Sequence, residues 1–279
     1  MSRKILIPTD GSEYSRTALE FGLFCAGALK ARIEGLYIID IKVVQGPLFD
    51  DISGFMGVSA CQDFVPMIEK GMNEKADEIL TQFRERCDEA KVPVEVKKAT
   101  GLVDETIIEE GEAADWIILA QRGEHYPLVR GGLMGSTSES VVRKSGKPVM
   151  ITPLRYRPIR QVGIAFDGSD PSRRALDEAV ELCLTTGWPL SAVFVTDDPA
   201  SVATLRDVVE EAVAPHGIEC TVVVRQGKEE QELIRFAGEG GVDLLVMGAY
   251  GRSRVRELIL GSTTSYVIRK TAVPVLLIR

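Results

Sequence analysis

Histidine is nearly absent from the 279-residue chain: His125 and His216 are the two present, and they lie far apart. A zinc site built on imidazoles and a histidine-based triad are therefore not expected. The five cysteines, Cys25, Cys61, Cys87, Cys183 and Cys220, are scattered without a Cys-x-x-Cys pair, so they read as thiols and not as metal ligands or disulfides. No apolar run approaches the roughly 18 residues of a membrane span, and Met1-Ser2-Arg3-Lys4 leads into a strand pattern with no apolar leader. That predicts a cytoplasmic protein. Lys and Arg (33) are outnumbered by Asp and Glu (41), giving a net charge of −8, which argues against coating nucleic acid or an anionic membrane. An anionic ligand would have to be held by local groups. Both the Gly-Lys-Ser/Thr of a Walker loop and the Gly-x-Gly-x-x-Gly dinucleotide fingerprint are missing.

What is present reads as a duplicated α/β chain. The length allows two domains, and 45% hydrophobic with 27% charged residues is a globular balance. Residues 4–9 (Lys-Ile-Leu-Ile-Pro-Thr) predict a buried strand ended by Asp10-Gly11-Ser12. A helix then starts at Ser12 or Glu13 with Ala18, Leu19, Leu23 and Ala26 on its apolar face, and a second strand follows over 33–39. The pattern returns at Val162-Gly163-Ile164-Ala165-Phe166 and Asp167-Gly168-Ser169, where Asp10 falls on Asp167 at an offset of 157 and Ser15, Arg16, Ala18 and Leu19 fall on identical residues. Further on, Gly101 falls on Gly227 and Gly135-Ser136-Thr137 on Gly261-Ser262-Thr263, both at 126. So many coincidences mark an internal repeat.

Each half therefore reads β-α-β-α-β-α-β-α-β, an open parallel sheet of five strands with Rossmann-like topology, over 1–153 and 159–279, with 153–158 as the proline-bounded linker. The fall in offset places about 31 extra residues in the first half, from 41 to roughly 68. A lid, an interface segment and a decorative loop all fit such an insertion. Each half closes on an apolar strand with proline at its start, Val149-Met150-Ile151 and Val275-Leu276-Leu277-Ile278. Pairing of these two edges within the chain, as a pseudo-two-fold pair, would shield them from aggregation.

The chemistry concentrates on a glycine loop between a strand over 242–247 and a helix over 262–270: Met247-Gly248-Ala249-Tyr250-Gly251, then Gly261-Ser262-Thr263-Thr264. Glycines admit a close backbone approach, and a helix N-terminus offers unpaired N–H groups with partial positive charge, so the loop can hold phosphate. Taken alone it could equally be a turn followed by an N-cap. In an open parallel sheet, however, Asp167, Val195-Thr196-Asp197 and this loop all end strands at one edge, where ligands bind. A carboxylate accepting from an exocyclic amine, apolar strand ends flanking a base and a loop for phosphates together describe an adenine nucleotide pocket.

These residues resemble the universal stress proteins, and the resemblance covers nearly all of both halves. Gly248, Gly251, Gly261 and Ser262 match the Gly-x2-Gly-x9-Gly-Ser/Thr of the family's ATP-binding subgroup. The resemblance implies ATP, with or without Mg2+, held by Asp167 and the Val195 backbone at adenine, with Ala165 flanking. Met247 and Gly248 would lie by the ribose, and Gly251, Gly261, Ser262 and Thr263 at the phosphates. The first half departs: Ala120 stands in place of the first glycine, and eleven residues separate Gly123 from Gly135. Pro8, Asp10, Ile38, Gly123, Gly135, Ser136 and Thr137 would form its weaker counterpart, with Arg122 and Arg130 available to pair with phosphate.

The motif places no carboxylate beside the γ-phosphate, so a nucleotide-dependent regulator is favoured over an efficient ATPase, and slow hydrolysis stays open. Arg252, Arg254, Arg256 and Glu257 lie in the loop between the glycines. The alternative is a nucleotide-independent scaffold. An alpha-type adenine nucleotide hydrolase or a flavoprotein subunit lacks its own motif here. A homodimer of the whole chain is expected in addition to the pairing of halves, and the protein partner is not legible.

Overall fold

The structure is a computed structural model that describes residues 3–42, 58–123, 136–239, 241–249 and 260–279, with only the backbone described for 58–65. The first half runs β1 (Lys4–Pro8), α1 (Glu13–Leu29), β2 (Arg32–Asp40), α2 (Val58–Glu89), β3 (Val94–Gly101), α3 (Val103–Gly111), β4 (Trp116–Ala120), α4 (Ser136–Lys144) and β5 (Val149–Thr152). The second runs β6 (Val162–Ala165), α5 (Asp170–Thr186), β7 (Leu190–Val195), α6 (Pro199–Val213), β8 (Cys220–Arg225), α7 (Glu229–Gly238), β9 (Leu244–Gly248), α8 (Ser262–Lys270) and β10 (Val275–Ile278). The repeated β-α order expected from the sequence is present in both halves.

The repeat holds at the level of single hydrogen bonds. Asp10 Oδ1 accepts the Ser12 N–H at 3.0 Å, and Asp167 Oδ1 accepts the Ser169 N–H at 3.0 Å. Gly11 and Gly168 between them take φ of 78° and 80°, the left-handed region that glycine enters without strain. Ser12 and Ser169 then cap α1 and α5 by accepting from the N–H groups of Ser15 and Ser172. Asp115 and Asp243 repeat a second device: they accept the N–H groups of Lys4 at 2.7 Å and Arg160 at 3.0 Å. Each thereby ties the entrance of β4 or β9 to the chain entering β1 or β6. β9 starts at Leu244, two residues later than the strand expected from 242.

All ten strands form one sheet in the order β3-β2-β1-β4-β5-β10-β9-β6-β7-β8. Pairing is parallel within each half and antiparallel at the centre, where Ile151 faces Val275, Met150 faces Leu276 and Val149 faces Leu277. The two closing strands cover each other's edges, as their apolar sequences led us to expect. Met150 and Leu276 have no exposed surface. One apolar layer is built from the inner faces of α1, α2, α5 and α6 and the other from α3, α4, α7 and α8, so both sheet faces are buried. That double burial explains the continuous apolar runs of the central strands.

The insertion at 41–68 is in part helix. Residues 58–68 open the 32-residue α2, about twice the length of the 15-residue α6 in the second half. Residues 43–57 of the insertion lie outside the described residues. Strand order reverses between β1 and β4 and again between β6 and β9, leaving a crevice beyond the carboxyl ends of the strands in each half.

Candidate functional site

In the second half that crevice is a cavity of about 520 Å³. Ala165 ends β6, with Asp167 in the turn after it; Val195 ends β7; Met247 and Gly248 end β9; and Gly261, Ser262 and Thr263 open α8. All eight line the cavity, so the structure brings together every described residue singled out in this half. Gly251 and the arginines of its loop lie outside the described residues. Val193, Leu205, Leu233 and Met247 give an apolar lining, and Thr196 and Asp197 extend it beyond β7.

Asp167 is held in a fixed orientation, because its Oδ1 accepts both the N–H and the hydroxyl of Ser169, at 3.0 and 2.6 Å. At the other side of the cavity, Gly261 occupies the N-cap of α8 and supplies no side-chain cap to its first N–H groups. A helix start left open in this way suits an anion. The Thr264 hydroxyl donates to the Ala249 carbonyl at 3.1 Å and fastens α8 to the end of β9.

The glycines of the motif do different work. A Cβ on Gly248 would lie 2.8 Å from Pro171 Cβ and 3.0 Å from the Pro171 carbonyl carbon. Glycine is therefore demanded there by the first turn of α5 pressing on β9. At Gly261 the backbone is extended, φ −53° and ψ 142°, and among the described residues an added Cβ would meet only Thr264 Oγ1, at 3.6 Å. Packing by those residues does not explain Gly261, which borders the cavity.

Sequence reasoning missed Glu229. It is the first residue of α7, lines the cavity, and its Oε2 accepts from the Thr263 hydroxyl at 3.3 Å. It is no part of the glycine motif, yet it stands at the start of α8, the end of the cavity that the motif assigns to phosphate. The signal was the run Glu229-Glu230 two residues beyond Gly227, but nothing local says that α7 starts against α8. With Asp167 and Asp197 it makes three acidic side chains on the wall and, among the described lining residues, no basic one. No group of three or more His, Cys, Asp or Glu among the described residues could hold a metal by itself. The chemistry available is therefore acceptance from an amine, donation to an anion and apolar contact with a flat group.

In the first half, Pro8 ends β1, Ile38 lies in β2, and Asp10 and Gly123 follow β1 and β4, with Ser136 and Thr137 opening α4. Gly135 lies outside the described residues, as do His125 and Arg130. A Cβ on Gly123 would sit 2.9 Å from Asp10 Oδ2, which places the Asp10 carboxylate near the Gly123 backbone. The Ser138 hydroxyl donates to the Ala120 carbonyl at 2.8 Å, bringing the start of α4 to the end of β4. Arg122 does not project freely toward a phosphate: its guanidinium lies 6.0 Å from the Tyr14 ring centroid and donates to the Tyr14 hydroxyl at 3.3 Å.

The cysteines behave as thiols. Cys25, Cys87 and Cys183 are buried and Cys220 partly so, all unbridged, and burial pushes the first three up to about 12. The Cys61 side chain lies outside the described residues. No helix among the described residues is long and apolar enough to cross a membrane.

Comparison with known proteins agrees with the repeat. Universal stress protein Slr1230 of Synechocystis is 30% identical over 288 residues, covering 99% of this chain and all of that protein. Universal stress protein Rv1996 of Mycobacterium tuberculosis is 26% identical over 310 residues, covering 99% of this chain and 94% of its own. The crystal structure of a universal stress protein from Archaeoglobus fulgidus superposes with a TM-score of 0.77 at 28% identity, covering 100% of this chain and 97% of that one. The model of the universal stress protein family matches residues 1–54, 59–153 and 203–279, and residues 154–202, which hold Asp167 and Val195, are spanned by the full-length relatives. On sequence along the whole chain and on fold, this chain belongs to the universal stress protein family.

Proposed function

We propose that the second half, residues 159–279, binds ATP and that the chain is a cytoplasmic stress-response protein regulated by nucleotide. The observation that carries this reading is the convergence of eight residues, drawn from four segments of sequence, on one 520 Å³ cavity. Asp167 and the Val195 backbone would receive adenine, Met247 and Gly248 would flank the ribose, and Gly261, Ser262, Thr263 and the open start of α8 would hold phosphates. Mg2+ would enter with the phosphates. The first half, residues 1–153, is the weaker site, since its loop is longer and Arg122 is engaged by Tyr14.

Regulation is favoured over turnover, and slow ATP hydrolysis is the alternative. A nucleotide-independent scaffold draws support from one observation: the first turn of α5, at Pro171 and Ser172, accounts for Gly248 without a ligand. A homodimer of the whole chain would need a surface other than β5 and β10, which already cover each other.

The test is calorimetric titration of the purified chain with ATP, alongside mass spectrometry of nucleotide released on denaturation. About one ATP per chain supports the reading. No bound nucleotide and no titration heat would leave the scaffold.

A further inference from the structure

The two ends of the ten-stranded sheet are finished differently. β3, at one end, carries the exposed Glu95, Lys97 and Lys98, a charged edge of the kind that resists pairing with another chain. β8, at the other end, reads Cys220-Thr221-Val222-Val223-Val224-Arg225, with no proline, no glycine and one charge at its close, and Val224 is 41% exposed. Among the described strands β8 pairs with β7 alone. The Glu219 carbonyl accepts from the Leu190 N–H at 3.0 Å and the Arg225 carbonyl from the Thr196 N–H at 3.0 Å. Main-chain groups of successive residues in a strand point to opposite sides, so the odd-numbered residues here bond β7. Cys220, Val222 and Val224 then turn their N–H and C=O groups to the open edge.

We propose that this edge pairs with β8 of a second copy of the chain, antiparallel and about a two-fold axis at Val222. The outward-facing residues fit such an axis. Val222 meets the partner's Val222 and Cys220 meets the partner's Val224, and each pair exchanges both of its main-chain hydrogen bonds. The charges complement one another in the same register, because Glu219 and Arg225 lie equally far either side of Val222 and so come opposite each other twice. Glu219 is exposed, and Arg225, whose guanidinium bonds Glu239, has further N–H donors to offer. Sliding the pair by two residues would keep the hydrogen bonding and lose the charge match. A pattern that is its own complement selects a second copy over an unrelated strand, and the contact is isologous, so it closes at two chains. β5 and β10 cannot serve, because they cover each other. The pairing does not depend on nucleotide.

The experiment is size-exclusion chromatography with light scattering on the full chain over a concentration series. The wild type is expected to pass from monomer to dimer as concentration rises. Glu219→Arg, at an exposed side chain, sets like charges opposite each other at both symmetric positions and is expected to weaken the dimer by about tenfold or more. Arg225→Glu is expected to do the same. An equimolar mixture of the two variants makes every contact opposite in sign again and recovers the dimer. Cross-linking reads the register without relying on charge. In Val224→Cys the new thiol stands opposite Cys220 of the partner subunit, about 5.5 Å away at Cα and within disulfide reach, whereas in one chain the two positions lie about 13 Å apart along the strand. Oxidation with copper phenanthroline gives a covalent dimer that disappears when Cys220→Ala is added. A wild type that stays monomeric at every concentration overturns the proposal. So does a dimer that Glu219→Arg leaves unchanged, a mixture that recovers nothing, or a covalent dimer that forms equally without Cys220.

Discussion

The indole N–H of Trp116, on β4 of the first half, donates at 2.8 Å to a carboxylate oxygen of Glu178, on α5 of the second. Trp116 is buried, and Glu178 is held above the usual carboxylate range chiefly by burial, against the downward pull of the Trp116 bond. The folded chain thus binds a proton at Glu178 more readily than the unfolded chain does. The charge at Glu178 costs stability above its folded pKa, and the cost is relieved as pH falls toward the unfolded value. Urea unfolding of wild type and Glu178→Gln should show the variant favoured most near neutral pH, with the difference shrinking toward pH 5. Trp116→Phe, which leaves that carboxylate without the indole donor, should cost about 1–3 kcal/mol at neutral pH.

The two motif glycines are expected to separate folding from binding. Gly248→Ala pushes a methyl group into Pro171 and should destabilise by about 1–3 kcal/mol, read as a lowered thermal midpoint. Gly261→Ala has room and an extended backbone, so it should cost less than about 1 kcal/mol. If the cavity takes nucleotide, Gly261→Ala weakens ATP binding in calorimetry while the midpoint stays near that of the wild type.

The central junction should be indispensable. Met150 and Leu276 face each other across the only antiparallel pairing among the described strands, and both are fully buried. Leu276→Ala should cost about 2–5 kcal/mol through the cavity it leaves. Expressed alone, residues 1–153 would present β5 as an open apolar edge. Light scattering should find that half self-associated, and a stable monomer would count against the junction.

Cysteine chemistry gives an independent check on packing. Cys25, Cys87 and Cys183 are buried with thiols pushed up to about 12, so the nucleophilic thiolate is scarce at pH 8. An aromatic disulfide reagent should leave all three unmodified in native buffer and react with them in denaturant. Rapid native labelling of Cys25 would mean that α1 does not pack as described.

Local pattern carried the fold a long way. Apolar runs, the Asp-Gly-Ser turns and the offset between halves were enough for ten strands in two repeats, because double burial, positive φ at Gly11 and Gly168, and serine caps are all properties of short segments. The Gly-x2-Gly-x9-Gly-Ser spacing also pointed to one edge of the second half. Tertiary structure decided what depends on segments distant in sequence. It set Pro171 on Gly248, turned Arg122 to Tyr14, continued the insertion into the long α2, and brought Glu229 to Thr263, 34 residues away. Those contacts follow from strand order: β8 and β9 are not neighbours in the sheet, and which helix starts then meet above the crevice depends on the path of the crossovers and not on any local period.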